Sequence, residues 1–343
     1  MPRTKLLQTL DSKVVEPPPV WLMRQAGRYL PEYRELRART GSFWTMCMTP
    51  ELAVEITLQP IRRFGFDAAI IFSDILVVPF ALGREVTFEE HIGPKLQRCA
   101  SVDELVMDAA VWDARLGPVY EAISVVRGKL GRETELLGFA GAPWTLASYM
   151  VEGGGSADQK AAKLWGYRDP QGFTRLLDVL ERCIAEHLIG QLKAGAGAVQ
   201  IFDSWAAGLP DRIFEEWVIA PTRRVVEQVR SAVPGAKIIG FPRCATQRGY
   251  EKFARETGVD AVSLDTAISM QWALEQLPGN VAIQGNLDPL ALVAGGTALD
   301  AAVDEILSAM HGRPFIFNLG HGVVPETPVE NVSQLVERVR RAR

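Results

Sequence analysis

Eight short apolar runs, each ending in polar or glycine residues and followed by a segment of helical spacing, restrict this chain to very few folds. The runs are Val20–Met23, Ala68–Phe72, Leu136–Phe139, Ala198–Phe202, Ile238–Phe241, Ala261–Leu264, Val281–Ile283 and Phe315–Leu319. Helix-like stretches lie between them at Pro50–Phe64, Gly172–Ala194, Arg212–Ala232, Tyr250–Thr257, Ile268–Gln276 and Leu299–His311. Gly65, Gly195, Gly235, Gly258 and Gly279 follow helical patterns, where C-terminal caps belong. A strand that is apolar on both faces needs a parallel sheet covered by helices. Eight such strands in alternation predict an α/β chain folded as a single (β/α)8 TIM barrel, its active site at the C-terminal ends of the strands. An open doubly wound sheet shares the local pattern. Its G-x-G-x-x-G after the first strand is absent, and Arg24-Gln25-Ala26-Gly27 stands there instead.

The 343 residues, 48% of them hydrophobic, fit one domain spanning 1–343. The excess over a minimal barrel of about 250 residues is expected in three places. These are a flexible lead-in over residues 1–16 that ends at Pro17–Pro19, the Gly83–Ala100 excursion, and a Gly153–Gln171 loop whose three glycines suit a mobile lid. Lys and Arg number 37 against 41 Asp and Glu, for a net charge of −4, which argues against a grip on nucleic acid. No run approaches the roughly 20 apolar residues of a membrane span, and the first residues lack the apolar stretch of a signal peptide. Cys47, Cys99, Cys183 and Cys244 are scattered without a C-x-x-C pair, so a reducing compartment, the cytoplasm, is expected.

The strand ends supply the candidate chemistry. The first run ends in Arg24-Gln25-Ala26-Gly27-Arg28, and the others in Ser73-Asp74, Gly141-Ala142-Pro143-Trp144, Asp203-Ser204-Trp205, Pro242-Arg243, Asp265-Thr266, Gln284-Gly285-Asn286 and Asn318-Leu319-Gly320-His321. Asp203 and Asp265 could equally be helix N-caps. Asp74 precedes Ile75-Leu76-Val77-Val78-Pro79, a poor helix start, so capping explains it less well. Arg34, Arg37 and Arg39 read as a solvated helix face, whereas Arg24 and Arg28 sit at a strand end. The four histidines, His91, His187, His311 and His321, show no metal-ligand spacing. No G-x-S-x-G elbow or Walker loop occurs. Arginines around an isolated carboxylate, Tyr and His suit a polyanionic substrate.

These blocks resemble the uroporphyrinogen decarboxylase family. The signature residues are Pro19–Tyr33, Gly138–Tyr149, Phe72–Leu76, Phe202–Trp205, Gly285–Pro289 and Asn318–Gly322, in order along nearly the whole chain. Ala206-Ala207 precede Gly208 where the family often has glycine sooner. The resemblance implies uroporphyrinogen III as substrate, coproporphyrinogen III as product, no cofactor, no metal and a homodimer. It implies catalytic roles for Asp74, Arg24 and Arg28, and substrate binding by Arg24, Gln25, Ala26, Gly27, Arg28, Asp74, Tyr149, Ser204 and His321. Related barrel methyltransferases carry a zinc-binding His-x-Cys set, and Phe241-Pro242-Arg243-Cys244 here lacks the His. A silent tetrapyrrole carrier would have a damaged residue set, and this one is complete.

Overall fold

The computed structural model describes residues 3–89 and 93–341. Residues 1 and 2 of the lead-in and 90–92 of the Gly83–Ala100 excursion, His91 among them, lie outside the described residues.

Seven of the eight apolar runs form one curled parallel sheet. Its strands are β1 (Ala68–Ile70), β4 (Glu135–Gly141), β5 (Ala198–Asp203), β6 (Lys237–Pro242), β7 (Ala261–Ser263), β8 (Ala282–Leu287) and β9 (Phe315–Leu319), hydrogen-bonded in that order. The remaining two strands, β2 (Val86–Glu89) and β3 (Gly93–Leu96), form an antiparallel pair within the Gly83–Ala100 excursion.

The first apolar run is not a full strand. Val20 makes a single parallel bridge to Phe317. Pro17, Pro18 and Pro19 have no N–H with which to extend a ladder upstream, and Arg24 turns the chain away at φ +60°. The segment nevertheless bonds to both edges of the sheet. At β9, Phe317 N–H donates to Pro19 O (2.9 Å) and Trp21 N–H to Phe317 O (3.3 Å). At the β1 edge, Asp67 N–H donates to Val20 O (3.0 Å) and Val20 N–H to Asp67 Oδ2 (2.9 Å).

The curl encloses a small core of Trp21, Met23, Ala68, Leu137, Ala198, Ile239, Phe241, Ala261, Ala282 and Ile316. A chain of buried polar groups crosses it. Trp21 Nε1 donates to Gln284 Oε1 (3.1 Å), and Gln284 Nε2 donates to Gln200 Oε1 and Ser263 Oγ, both at 3.0 Å. Satisfied networks of this kind fix one arrangement of a core. The larger apolar cluster lies between the outer face of the sheet and the helices.

The lead-in expected to be flexible is instead built into this core. Lys5–Leu10 is a helix capped by Thr4, and Leu6 and Leu10 are fully buried against the sheet interior. The apolar spacing of Leu6, Leu7 and Leu10 is that of one helical face. The Gly153–Gln171 stretch also differs from a plain loop. Gly153 ends the helix Pro143–Glu152 at φ +79°, Leu96 N–H of β3 donates to its carbonyl (3.0 Å), and Lys160–Arg168 is helical. Leu10→Ala should lower unfolding stability by about 2–4 kcal/mol, read from urea denaturation. A change below about 0.5 kcal/mol would mean that the helix merely rests on the sheet.

Candidate active site

The Arg24–Arg28 turn is positioned by a buried amide. Leu22 N–H donates to Gln25 Oε1 (3.1 Å), and Gln25 Nε2 donates to Ala68 O of β1 (3.1 Å). Gln25 N–H donates to Leu22 O (3.0 Å), and Tyr29 Oη donates to Gln25 O (2.7 Å). Gln25 is fully buried, so its side chain serves the fold and is not offered to a ligand. Ala26 and Gly27 are half-buried, while Arg24 and Arg28 are exposed. Arg34, expected to be merely solvated, donates from Nη1 to Arg28 O (2.9 Å) and Tyr29 O (3.1 Å), holding the far end of the turn.

Arg24 has a left-handed backbone, which costs a residue with a Cβ about 1–2 kcal/mol. Its side chain lies along Gly322: a Cβ there would stand 2.3 Å from Arg24 Cδ. Glycine at 322 is what lets the guanidinium pass beside His321. Neither Arg24, Arg28 nor Arg243 has a carboxylate partner among the described residues.

Asp74 follows β1 and is half-buried. Contrary to the sequence expectation it does make a cap-like bond: Leu76 N–H donates to Asp74 Oδ1 (2.9 Å), one residue before the short helix Val77–Ala81. Burial pushes its pKa up to about 6, only partly countered by that bond and by the Arg24 charge. The Tyr149 phenol is raised by burial and then by the Asp74 charge, and pulled back by Arg24, so these three side chains share one space. Tyr149 also packs edge-on to Trp205, ring centroids 5.8 Å apart, which brings it to the turn after β5 that carries half-buried Ser204. His321 is half-buried, and burial, Arg24 and Arg243 together hold it down at about 4, so its imidazole is neutral near pH 7.

The two other strand-end aspartates are not helix N-caps of the expected kind. Asp203 is buried and accepts from Thr145 Oγ1 (2.5 Å); its Oδ2 has no partner among the described residues, and burial lifts its pKa to about 7. Asp265 accepts from Cys244 N–H (2.8 Å), Tyr250 Oη (2.7 Å) and Ala267 N–H (2.9 Å), tying the turns after β6 and β7 to the helix Gln247–Glu256. Among the described residues no group of His, Cys, Asp or Glu could hold a metal ion, and no helix is long and apolar enough to cross a membrane. A separate cavity of about 670 Å³, lined by Val14, Pro17, Leu307, His311 and Arg313, opens at the opposite ends of the strands, away from this group.

The sequence pattern described as Uroporphyrinogen decarboxylase (URO-D) matches residues 1–342. The chain belongs to the uroporphyrinogen decarboxylase family. It is 51% identical over 343 residues, all of both chains, to uroporphyrinogen decarboxylase of Chelativorans sp. (strain BNC1). It is 53% identical over 337 residues, 98% of each chain, to that of Brucella canis. Among solved structures, a methyltransferase from Methanosarcina mazei superposes with a TM-score of 0.80 at 20% identity, covering 98% of this chain and 97% of that one. A B12-independent methionine synthase from Shewanella sp. W3-18-1 superposes at 0.57 and 13% identity over 85% and 88%. These two likenesses concern the fold alone.

For a decarboxylase family member, the arrangement is chemically lopsided in a useful way. Cations without partners face a carboxylate that ionises reluctantly, beside a neutral imidazole and a phenol. Guanidinium groups without partners can bind carboxylates, and an ionised carboxylate can stabilise a neighbouring positive charge.

Because folding raises the Asp74 pKa above its ordinary value of 3.8, the ionised carboxylate disfavours the folded state. That penalty is full above about pH 6 and gone below about pH 4. Asp74→Asn should therefore melt higher than the wild type at pH 7.5, and the gain should vanish at pH 4. Equal melting temperatures at pH 7.5 would show that Asp74 carries no such penalty.

Proposed function

We propose that this chain converts uroporphyrinogen III to coproporphyrinogen III by removing the four acetate carboxyl groups as CO2. The observation that carries the reading is that unpartnered guanidinium groups, Arg24 and Arg28, gather at the same end of the sheet as the reluctant carboxylate Asp74. A polycarboxylate supplies the anions, and its pyrrole N–H groups supply donors for Asp74.

Decarboxylation leaves an electron pair that needs a sink. A proton added to the pyrrole α-carbon makes the ring cationic. The C–CO2 bond then breaks, CO2 leaves, and the pair neutralises the ring while forming an exocyclic methylene. Return of the α-proton and delivery of a proton to that methylene give the methyl group, so each turnover exchanges one carboxylate for one proton. Asp74 stabilises the cationic ring and accepts from the pyrrole N–H groups. Arg24 and Arg28 bind and orient carboxylates, and Ala26 and Gly27 shape the turn between them. Tyr149, Ser204 and His321 hydrogen-bond the acetate and propionate arms. The pyrrole supplies the electron sink, so the reading needs no added cofactor and no metal.

The same reading takes the curled sheet, with Val20–Met23 as an eighth element, as a closed (β/α)8 barrel forming one domain over 1–343. It places the protein in the cytoplasm as a homodimer, without nucleic-acid or membrane partners.

Anaerobic incubation of chelator-treated protein with uroporphyrinogen III, followed by oxidation and separation by carboxyl number, should show stepwise loss from eight carboxyls to four. Asp74→Asn should remain folded and lose at least about 100-fold in kcat. Failure of the wild type to turn over would remove the assignment. Sedimentation at micromolar concentration should give two chains per particle, and one chain would overturn the dimer.

A further inference from the structure

We propose that Arg243 is a third carboxylate-binding arginine of this site and that it holds, with Arg24 and His321, one carboxylate arm of the substrate. The proposal rests on the reading above for the identity of that substrate, and on separate observations for the residue.

Arg243 leaves the sheet where the chemistry is. β5 and β6 pair through Asp203 opposite Pro242, so Arg243 emerges beside Asp203 and Ser204. Its N–H donates to Asp203 O and to Phe241 O, both at 3.0 Å. The next residue, Cys244, has a left-handed backbone at φ +59° despite its Cβ. Asp265 stabilises that turn by accepting the Cys244 N–H (2.8 Å), and Ala245 N–H donates to Pro242 O (3.1 Å). The other site residue with such a backbone is Arg24. Two strained non-glycine turns at one end of the sheet thus each present an arginine, and strain of this kind persists where surroundings enforce it for function.

The guanidinium is also without an anion. Arg224 and Arg230, partly buried on the outer helices, form ion pairs with Glu181 and Asp260. Arg243 forms none among the described residues, and its Nε is buried with no hydrogen-bond partner. A buried donor left unpaired is unfavourable until a ligand satisfies it. Burial first, and then the charges of Arg24 and Arg243, hold the His321 imidazole down, so both cations act on the same side chain. Two forked cations and one neutral imidazole N–H suit a carboxylate, whose oxygens accept from several donors. A substrate with eight carboxylates also exceeds what Arg24 and Arg28 can hold.

Equilibrium binding of uroporphyrin III and coproporphyrin III, followed by quenching of tryptophan fluorescence, tests this without turnover. Arg243→Ala should weaken uroporphyrin III about tenfold, and Arg243→Lys, which keeps the charge but not the fork, should fall between it and the wild type. Equal weakening of coproporphyrin III assigns the arm as a propionate; weakening confined to uroporphyrin III assigns it as an acetate. Nuclear magnetic resonance of His321 in the ligand-free protein should show its pKa higher in Arg243→Ala than the wild type's value of about 4. Unchanged binding of both porphyrins in the folded variants would overturn the proposal. A wild type that binds porphyrins through Arg243 but fails to decarboxylate would sink the proposed reaction and leave this residue's role standing.

Discussion

The segment from Pro19 to Gln25 holds together everything that the site needs. It is bonded on one side to β9 through Phe317 and on the other to the β1 edge through Asp67 and Ala68. The curled sheet would otherwise have two unpaired edges, a liability in itself, and its polar interior would open to water. The same few residues then make the turn that presents Arg24. Gln25 is the hinge of this economy: its amide bonds to Leu22 N–H and Ala68 O, and its carbonyl receives Tyr29 Oη. A change at Gln25 therefore alters the site by moving Arg24 and Arg28.

Charge is handled differently at the site and elsewhere. On the helical layer and at the N-terminal ends of the strands, buried or half-buried carboxylates have partners: Glu181 with Arg224 at 2.6 Å, and Asp260 with Arg230 at 2.9 Å and Lys237 at 3.1 Å. At the C-terminal ends of the strands, Asp74 and Asp203 are pushed up in pKa, chiefly by burial, while Arg24, Arg28 and Arg243 form no ion pair among the described residues. At that end of the sheet the buried carboxylates Asp74 and Asp203 lack the arginine partner that Glu181 has on the helical layer.

The strand pattern was legible because parallel strands buried on both faces leave continuous apolar runs. Pro50–Phe64 matches its helix residue for residue. The helix Ala109–Lys129 escaped because Gly117-Pro118 interrupts it, although Trp112, Leu116, Val119, Ile123 and Val126 keep helical spacing and are buried. The lead-in was misread because six residues are too few for a periodicity to stand out, yet Leu6 and Leu10 fill the sheet interior. At the site, Arg24, Asp74 and His321 were candidates from the strand ends, and Tyr149, inside the helix Pro143–Glu152, was a candidate only through the family resemblance. The supporting roles of Arg34 and Arg243 were not legible. Arg34 sits among Arg37 and Arg39 in a charged helix face, and Arg243 is a lone polar residue after an apolar run. Only the fold brings the first to the carbonyls of Arg28 and Tyr29 and the second beside Asp203 at the site end of the sheet.

The proposed selectivity follows from the conflict between these groups. A ligand with carboxylates alone would satisfy the guanidinium groups and bring negative charge towards an already reluctant Asp74. A ligand with N–H donors alone would satisfy Asp74 and leave Arg24, Arg28 and Arg243 unpaired. Each half-match leaves a desolvated group without its partner, which costs about 1–3 kcal/mol per group. A macrocycle with inward N–H groups and a rim of carboxylates relieves both at once. The penalty for the half-match, more than the attraction of any single contact, then separates such a macrocycle from smaller anions. The depressed His321 fits the same logic: a neutral imidazole donates to a carboxylate without adding a further cation to the repulsion between Arg24 and Arg243.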